Sequence, residues 1–185
     1  TDPPPAGAQL LWSNMMLHAA VDPPALMARW QRALAAEGFA MFSCLGPGSL
    51  RELHALYRER GWGEPGAAFV DMHDLGDMLV AAGFADPVMD VESLTLTYAD
   101  VPSVLRDLKA IGAHNATAAR NAALTGKAHF ARFVQAYEAF RRTDDRIPAS
   151  YETVYGHAWA PQAEPASPAD GTAVISLSQL RRRRT

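Results

Sequence analysis

At 185 residues the chain is the size of one domain. Its apolar fraction is 49%, but 35 residues are Ala, which leaves large side chains for one core and too few for a membrane bundle. The single Cys44 excludes an intrachain disulfide and a multi-cysteine zinc site, and no opening resembles a signal peptide, so a reducing, cytoplasmic setting is expected. The net charge is −3, yet Arg181, Arg182, Arg183 and Arg184 crowd one end, which leaves −7 on the rest; an acidic body with a short basic tail argues against nucleic-acid binding.

Residues 1–7 (TDPPPAG) form a Pro-rich lead-in. Residues 9–12 (QLLW) are a short apolar run that stops at polar Ser13 and Asn14, as a buried strand does. Asp22 precedes Pro23 and Pro24, which suits a helix start. Leu26, Met27, Trp30, Ala33 and Leu34 follow at helical spacing, with Gly38 as the expected stop. Residues 39–45 (FAMFSCL) form a second apolar run, closed by Gly46, Pro47 and Gly48. Strand, helix and strand with short joints make a βαβ unit with parallel strands.

Ser49 and Glu52 have capping-box spacing at the start of a helix whose apolar face is Leu50, Leu53, Leu56 and Tyr57. Residues 61–68 are turn formers. Residues 71–83 read as a helix with Leu75, Met78, Leu79 and Ala82 on one side, ended by Gly83. Residues 88–98 (VMDVESLTLTY) read as a strand. Asp100 and Pro102 open a helix through Leu105, Leu108 and Ile111, stopped at Gly112. A long helix over residues 127–142 carries the stripe Phe130, Phe133, Val134, Tyr137 and Phe140, and residues 150–159 make a last strand. A Pro/Ala-rich linker and the basic tail follow, over 161–185. Four strands alternating with about five helices give an α/β fold, expected as one sheet covered on both faces.

The runs LLWSNMMLH (10–18), FSCLGPGSLRELH (42–54), DMHDLGDMLVAAGFADPVMD (71–90), LTLTYADV (94–101), DLKAIGAHN (107–115) and YETVYGHAW (151–159) together resemble one family. It is the malonyl-acyl-carrier-protein O-methyltransferase family of biotin synthesis, among the class I S-adenosylmethionine-dependent methyltransferases. The resemblance covers residues 8–160, and the tract from Asp71 to Val101 is its most specific part. It implies a Rossmann-like sheet represented by strands four to seven, side by side in the order 4-5-7-6, with a helical substrate cap over about 100–142. The family's glycine-rich loop and the acidic residue that holds the ribose have no counterpart here. With Thr at position 1, the expectation is a carboxyl-terminal half, inactive by itself. Ala19 stands where the family usually has Trp, which makes the adjacent pocket wall smaller.

By that resemblance Ser13, Asn14, Leu17 and His18 face S-adenosylmethionine, because ligands of open α/β sheets sit outside the carboxyl ends of parallel strands. Cys44, Leu45 and Gly46 end the next strand on the same rim and are read as substrate-binding, Gly46 because it lets backbone approach a ligand closely. Nothing beside Cys44 activates a thiolate. Asp71, His73, Asp74 and Asp77 invite a metal reading, but Asp71 and Asp74 suit a helix start and Asp77 its exposed side, and no metal is expected. His114 and Asn115 read as a helix end.

Methyl transfer to an ionised carboxylate needs alignment and exclusion of water rather than a general base, so no catalytic residue is singled out. The acceptor implied is a malonyl thioester on acyl-carrier protein. That partner is acidic, like the body of this chain, so docking would need a local patch: Arg51 first, with Arg58 and Arg60, then Arg106 and Lys109. Two other readings stay open. One is a non-catalytic pseudo-enzyme or partner-binding module, whose bare fourth-strand edge invites self-association. The other is a methyltransferase for a different small acceptor.

Overall fold

A computed structural model of the chain describes residues 7–110 and 126–161. Residues 1–6 of the lead-in, Ile111 and Gly112, His114 and Asn115, most of the linker and the four terminal Arg lie outside the described residues. The strands are β1 (Ala8–Asn14), β2 (Leu34–Leu45), β3 (Ala85–Tyr98) and β4 (Ile147–Trp159). The helices are α1 (Pro23–Ala33), α2 (Arg51–Arg60), α3 (Met72–Ala81), α4 (Val101–Ala110) and α5 (Lys127–Tyr137). Single 3-10 turns occupy Leu17–Ala19 and Glu138–Phe140.

The sheet order is β1-β2-β4-β3, the order expected of strands four to seven. β1 and β2 are parallel, and β4 is antiparallel to both its neighbours, β2 and β3. α1 begins as the sequence predicts, with the Asp22 carboxylate accepting from Ala25 N–H at 2.9 Å and two prolines in the first turn. α3 is capped in the same way by Asp71, which accepts from His73 N–H at 2.8 Å.

Three local expectations are corrected. Gly38 does not stop α1: the helix ends at Ala33 and β2 begins at once, with Gly38 inside it. A Cβ at Gly38 would meet the carbonyl oxygens of Ala35 and Ala8 at 2.8 and 3.0 Å, so glycine is needed there for close packing. Ser49 and Glu52 do not form a capping box. Leu50 is the residue before α2, in the left-handed region at φ 52°, and both polar side chains bond β4 instead. Finally, Phe130 leaves the apolar stripe of α5 and is exposed, while Phe133 and Tyr137 are buried.

The core forms two clusters. In the first, Met27 and Trp30 of α1 and Leu75 and Leu79 of α3 pack on Ala40, Phe42 and Cys44 of β2 and Val154 and Ala158 of β4. In the second, Leu56 of α2, Val101 and Val104 of α4 and Phe133 and Tyr137 of α5 gather over Ile147 and Ala149. Tyr137 is fully buried, and its hydroxyl donates to the Pro148 carbonyl at 3.2 Å, which satisfies the polar end of a large apolar body. The sheet is not covered on both faces among the described residues: the side opposite α1 and α3 leaves Leu10, Trp12, Met41, Val88 and Trp159 exposed.

Phe42 and Gly156 are cross-strand partners, and the Phe42 ring lies over the glycine. A Cβ on residue 156 would run into that ring and come within 2.9 Å of Met89 Sδ. Gly156→Ala is therefore expected to destabilise the fold by about 1–3 kcal/mol, as overpacked cores do; the check is the urea midpoint of the variant against the parent.

Candidate functional site

Parallel pairing brings the carboxyl ends of β1 and β2 side by side, at Asn14 and Leu45. The chain leaves β1 through Met15, at φ 52°. Its N–H reaches both the carbonyl (2.9 Å) and the hydroxyl (3.1 Å) of Ser43, and that hydroxyl donates to Asn14 Oδ1 at 2.6 Å. Ser13, Asn14 and Ser43 thus lie together at one strand-end corner. Sequence reading had singled out Ser13 and Asn14 but not Ser43, which the parallel register supplies.

Leu17 and His18 follow in the 3-10 turn. Leu17 is fully buried in the first core cluster and anchors the turn. His18 reaches across to β2, where its Nδ1 accepts from Leu45 N–H at 3.2 Å and its ring meets Phe69 edge-on at 5.9 Å. An Nδ1 that accepts puts any ring proton of the neutral form on Nε2. Burial holds the imidazole below its ordinary pKa of 6.5, so His18 is kept uncharged near neutral pH. On the outer side of the turn lies an open groove of about 400 Å³, lined chiefly by Met16, Ala20, Val21 and Leu26 with Asp22 and Arg29 at its margin.

The turn after β2 is held by β4. Gly46 N–H donates to the Glu152 carbonyl at 2.9 Å and Gly48 N–H to the Glu152 carboxylate at 3.3 Å. Ser49 Oγ donates to the Glu152 carbonyl and accepts from the Glu152 N–H, both at 3.0 Å. A Cβ on Gly46 would strike the Glu152 carboxylate, and one on Gly48 would come within 2.6 Å of it. The two glycines are therefore explained by a side chain about a hundred positions away. Next to this clasp, Glu52 is only 7% exposed and accepts from Ser150 N–H (3.1 Å) and from Ser150 Oγ (2.5 Å). Nothing local in the sequence marks Glu152 or Ser150, because their partners come from the far end of the chain.

Cys44 is buried in the core and its thiol is pushed up to about 11 by desolvation, so it is protonated and unreactive at neutral pH. Leu45 contributes its N–H to His18. Arg51 stands outside the clasp with 70% of its side chain exposed, 3.7 Å from Glu52. Asp71 accepts from its own helix's first turn and from His73 Nδ1 at 2.7 Å, in an exposed setting. Among the described residues no group of three or more His, Cys, Asp or Glu is placed to hold a metal ion, and no helix is long and apolar enough to cross a membrane.

Two outcomes test this geometry. Because the folded His18 binds its proton less readily than the unfolded one, stability falls as pH drops below 6.5. His18→Gln, which keeps an acceptor for Leu45, should flatten that fall in urea midpoints taken from neutral to mildly acidic pH. Glu52→Ala strands two buried donors of Ser150 and is expected to cost about 1–3 kcal/mol. Glu52→Gln, which keeps one acceptor oxygen, should cost less in the same assay.

Known proteins resemble the chain in sequence and in fold. No protein-family model matches the chain. A malonyl-[acyl-carrier protein] O-methyltransferase of Gallionella capsiferriformans is 52% identical over 169 residues, 91% of this chain and 57% of that protein. One of Methylovorus sp. is 48% identical over 172 residues, 93% of this chain and 57% of that protein. The chain thus spans a little over half the length of these curated relatives. Among solved structures, the YcgJ protein of Bacillus subtilis shares the fold with a TM-score of 0.54 at 10% identity, over 88% of this chain and 68% of that one. The architecture is a partial Rossmann-like class I methyltransferase fold. The chain is closely similar in sequence to malonyl-[acyl-carrier protein] O-methyltransferases over part of their length.

Proposed function

We propose that the rim formed by Ser13, Asn14, His18 and the Gly46–Gly48 turn is one side of an S-adenosylmethionine-dependent methyl-transfer site. Its acceptor is the free carboxylate of a malonyl group on acyl-carrier protein, in biotin synthesis. The observation that carries this reading is the identity, near one half, to relatives that bear that name, together with the polar corner at the ends of two parallel strands.

The residues at the rim fit the cofactor's charge. S-adenosylmethionine is a sulfonium and supplies an activated methyl group when bound. His18 is kept neutral by burial and Ser13 and Asn14 carry no charge, so this corner adds no cation against it. Asn14 is held by the Ser43 hydroxyl, and the His18 ring is fixed by Leu45 N–H and Phe69. Both side chains are therefore oriented before a ligand arrives. Leu17 acts from beneath by anchoring the turn. An ionised malonyl carboxylate is already a nucleophile, so the work of this side of the site is to align it and keep water out. Leu45 and Gly46 shape the acceptor side, since the clasp on Glu152 keeps the backbone of that turn in place, and the protonated Cys44 beneath them takes no part in chemistry.

Docking of the acidic carrier protein falls to α2, where Arg51, Arg58 and Arg60 are exposed around the exposed Glu59; Arg106 and Lys109 are exposed on α4. Methyl esterification would hide the malonyl charge from chain-elongating enzymes.

A hybrid tests the reading, with this chain replacing the matched part of the Gallionella protein. It should convert malonyl-acyl-carrier protein to its methyl ester with S-adenosylmethionine, read by mass spectrometry. Arg51→Glu in that hybrid should raise KM for the carrier-bound substrate and leave kcat with malonyl-coenzyme A unchanged. A folded hybrid that binds S-adenosylmethionine yet methylates only another small carboxylate would replace the acceptor. For the chain by itself, no micromolar S-adenosylmethionine binding is expected in titration calorimetry.

A further inference from the structure

The hydrogen bonds at the strand-end corner fix which polar atoms of Asn14 and His18 are left to face outward, and both are donors. Ser43 Oγ accepts from Met15 N–H at 3.1 Å, which leaves its own hydrogen for Asn14 Oδ1 at 2.6 Å. The Asn14 carbonyl oxygen is therefore turned toward β2, and the amide Nδ2 with its two N–H groups is turned away from Ser43. His18 is fixed in the same way. Leu45 N–H can only donate, so Nδ1 must accept at 3.2 Å, and the one ring proton of the neutral imidazole sits on Nε2. Ser43 is 6% exposed, whereas Asn14 is exposed and His18 half-buried, so the anchor of Asn14 is covered and the side chains that carry the donors remain accessible. Neither donor has a hydrogen-bond partner among the described residues.

The two anchors, Ser43 and Leu45, are two residues apart on β2, about 7 Å along the strand. A carboxylate that accepts a bond of about 2.9 Å on each oxygen spans a gap of that order. The chemistry of the donors selects the ligand group. N–H donors suit an anionic oxygen and do not suit a sulfonium, whose positive charge favours acceptors. Two carboxylates meet at a methyl-transfer site of this kind: the malonyl end of the acceptor and the amino-acid end of the cofactor. The acceptor is the one that gains from neutral donors. Its charge is consumed as the ester forms, and a guanidinium, whose bonds to a carboxylate are roughly twice as strong, would hold the ground state more than the transition state. An amide and a neutral imidazole orient the same oxygens with a smaller penalty.

We propose that Asn14 Nδ2 and His18 Nε2 are a neutral donor pair that binds the carboxylate of the methyl acceptor, with Ser43 as the residue that positions Asn14. The identity of that acceptor, a malonyl thioester, rests on the methyl-transfer reading.

Asn14→Asp keeps an oxygen for the Ser43 hydroxyl and replaces the outward donor with a charged oxygen. In the Gallionella hybrid it should raise KM for malonyl-acyl-carrier protein roughly tenfold or more, as loss of a hydrogen bond to a charged group does, while the Kd of S-adenosylmethionine in calorimetry does not rise. His18→Leu should raise the same KM, and His18→Gln, which accepts from Leu45 N–H and donates outward, should bring it back. Ser43→Ala should raise KM more than it lowers kcat. Unchanged KM in Asn14→Asp and His18→Leu overturns the proposal. So does a rise in the Kd of S-adenosylmethionine with KM unchanged, which assigns the donors to the cofactor's carboxylate. In the 185-residue chain by itself, isotope-edited NMR should show the Asn14 side-chain amide shifting with monoethyl malonate at millimolar concentration and not with uncharged diethyl malonate; no shift with the monoanion overturns the proposal. Such a shift beside a folded hybrid that makes no methyl ester would keep the carboxylate pair and remove the methyl-transfer reading.

Discussion

The pairing of β2 with β4 is the contact on which the rest of this structure depends. These strands are separated by about a hundred residues of chain, and they meet in a register that sets Phe42 on Gly156 and Leu45 against Thr153. The absence of a side chain at residue 156 leaves room for the Phe42 ring over the neighbouring strand, and Trp30 packs against that ring at 5.8 Å. From this contact α1 and α3 find their seat, because Ala40, Cys44, Val154 and Ala158 lie on the same side. Closing so long a loop has an entropic cost that grows only slowly with length, and the buried aromatic contact is available to offset it.

The same register builds the candidate site. Once Leu45 faces Thr153, Glu152 comes under the turn of residues 46–48 and is gripped by two backbone N–H groups and the Ser49 hydroxyl. Glu52 then meets Ser150 one step further along β4. A buried carboxylate with two donors is sustainable where an unpaired one is not. The polar groups that at first suggest helix capping are therefore a tie between α2 and the sheet. At the rim, His18 and Asn14 are held separately, by Leu45 N–H and by the Ser43 hydroxyl.

The two edges of the sheet show a difference that composition alone does not display. β3 is long and antiparallel and is guarded by carboxylates and a proline; β1 is short, parallel and uncharged. The exposed Trp12 of β1 and the exposed Trp159 two strands away lie on the same side of the sheet, the side that α1 and α3 leave uncovered.

The sequence by itself determined the elements and their order. Apolar runs of strand length, Asp22 and Asp71 as caps, Gly83 as a stop and the helical stripes of α2 and α3 are all local signals, written within one or two turns of chain, while α4 buries Val101, Val104 and Leu108 and leaves the expected Leu105 only partly buried. The tracts that resemble the methyltransferase family carried the sheet order and the rim residues Ser13, Asn14 and His18. What the tertiary structure decided is where long-range partners replace local ones. Ser49 and Glu52 abandon the capping box because β4 offers donors and acceptors in a buried setting, where each bond counts for more than at an exposed helix end. Gly38, Gly46 and Gly156 are glycines for reasons of contact with Ala8, Glu152 and Phe42, none of them neighbours in sequence. Sequence periodicity reports which side of an element is apolar; only the packed fold says whether anything lies against it, and for the Trp12 side of the sheet nothing among the described residues does.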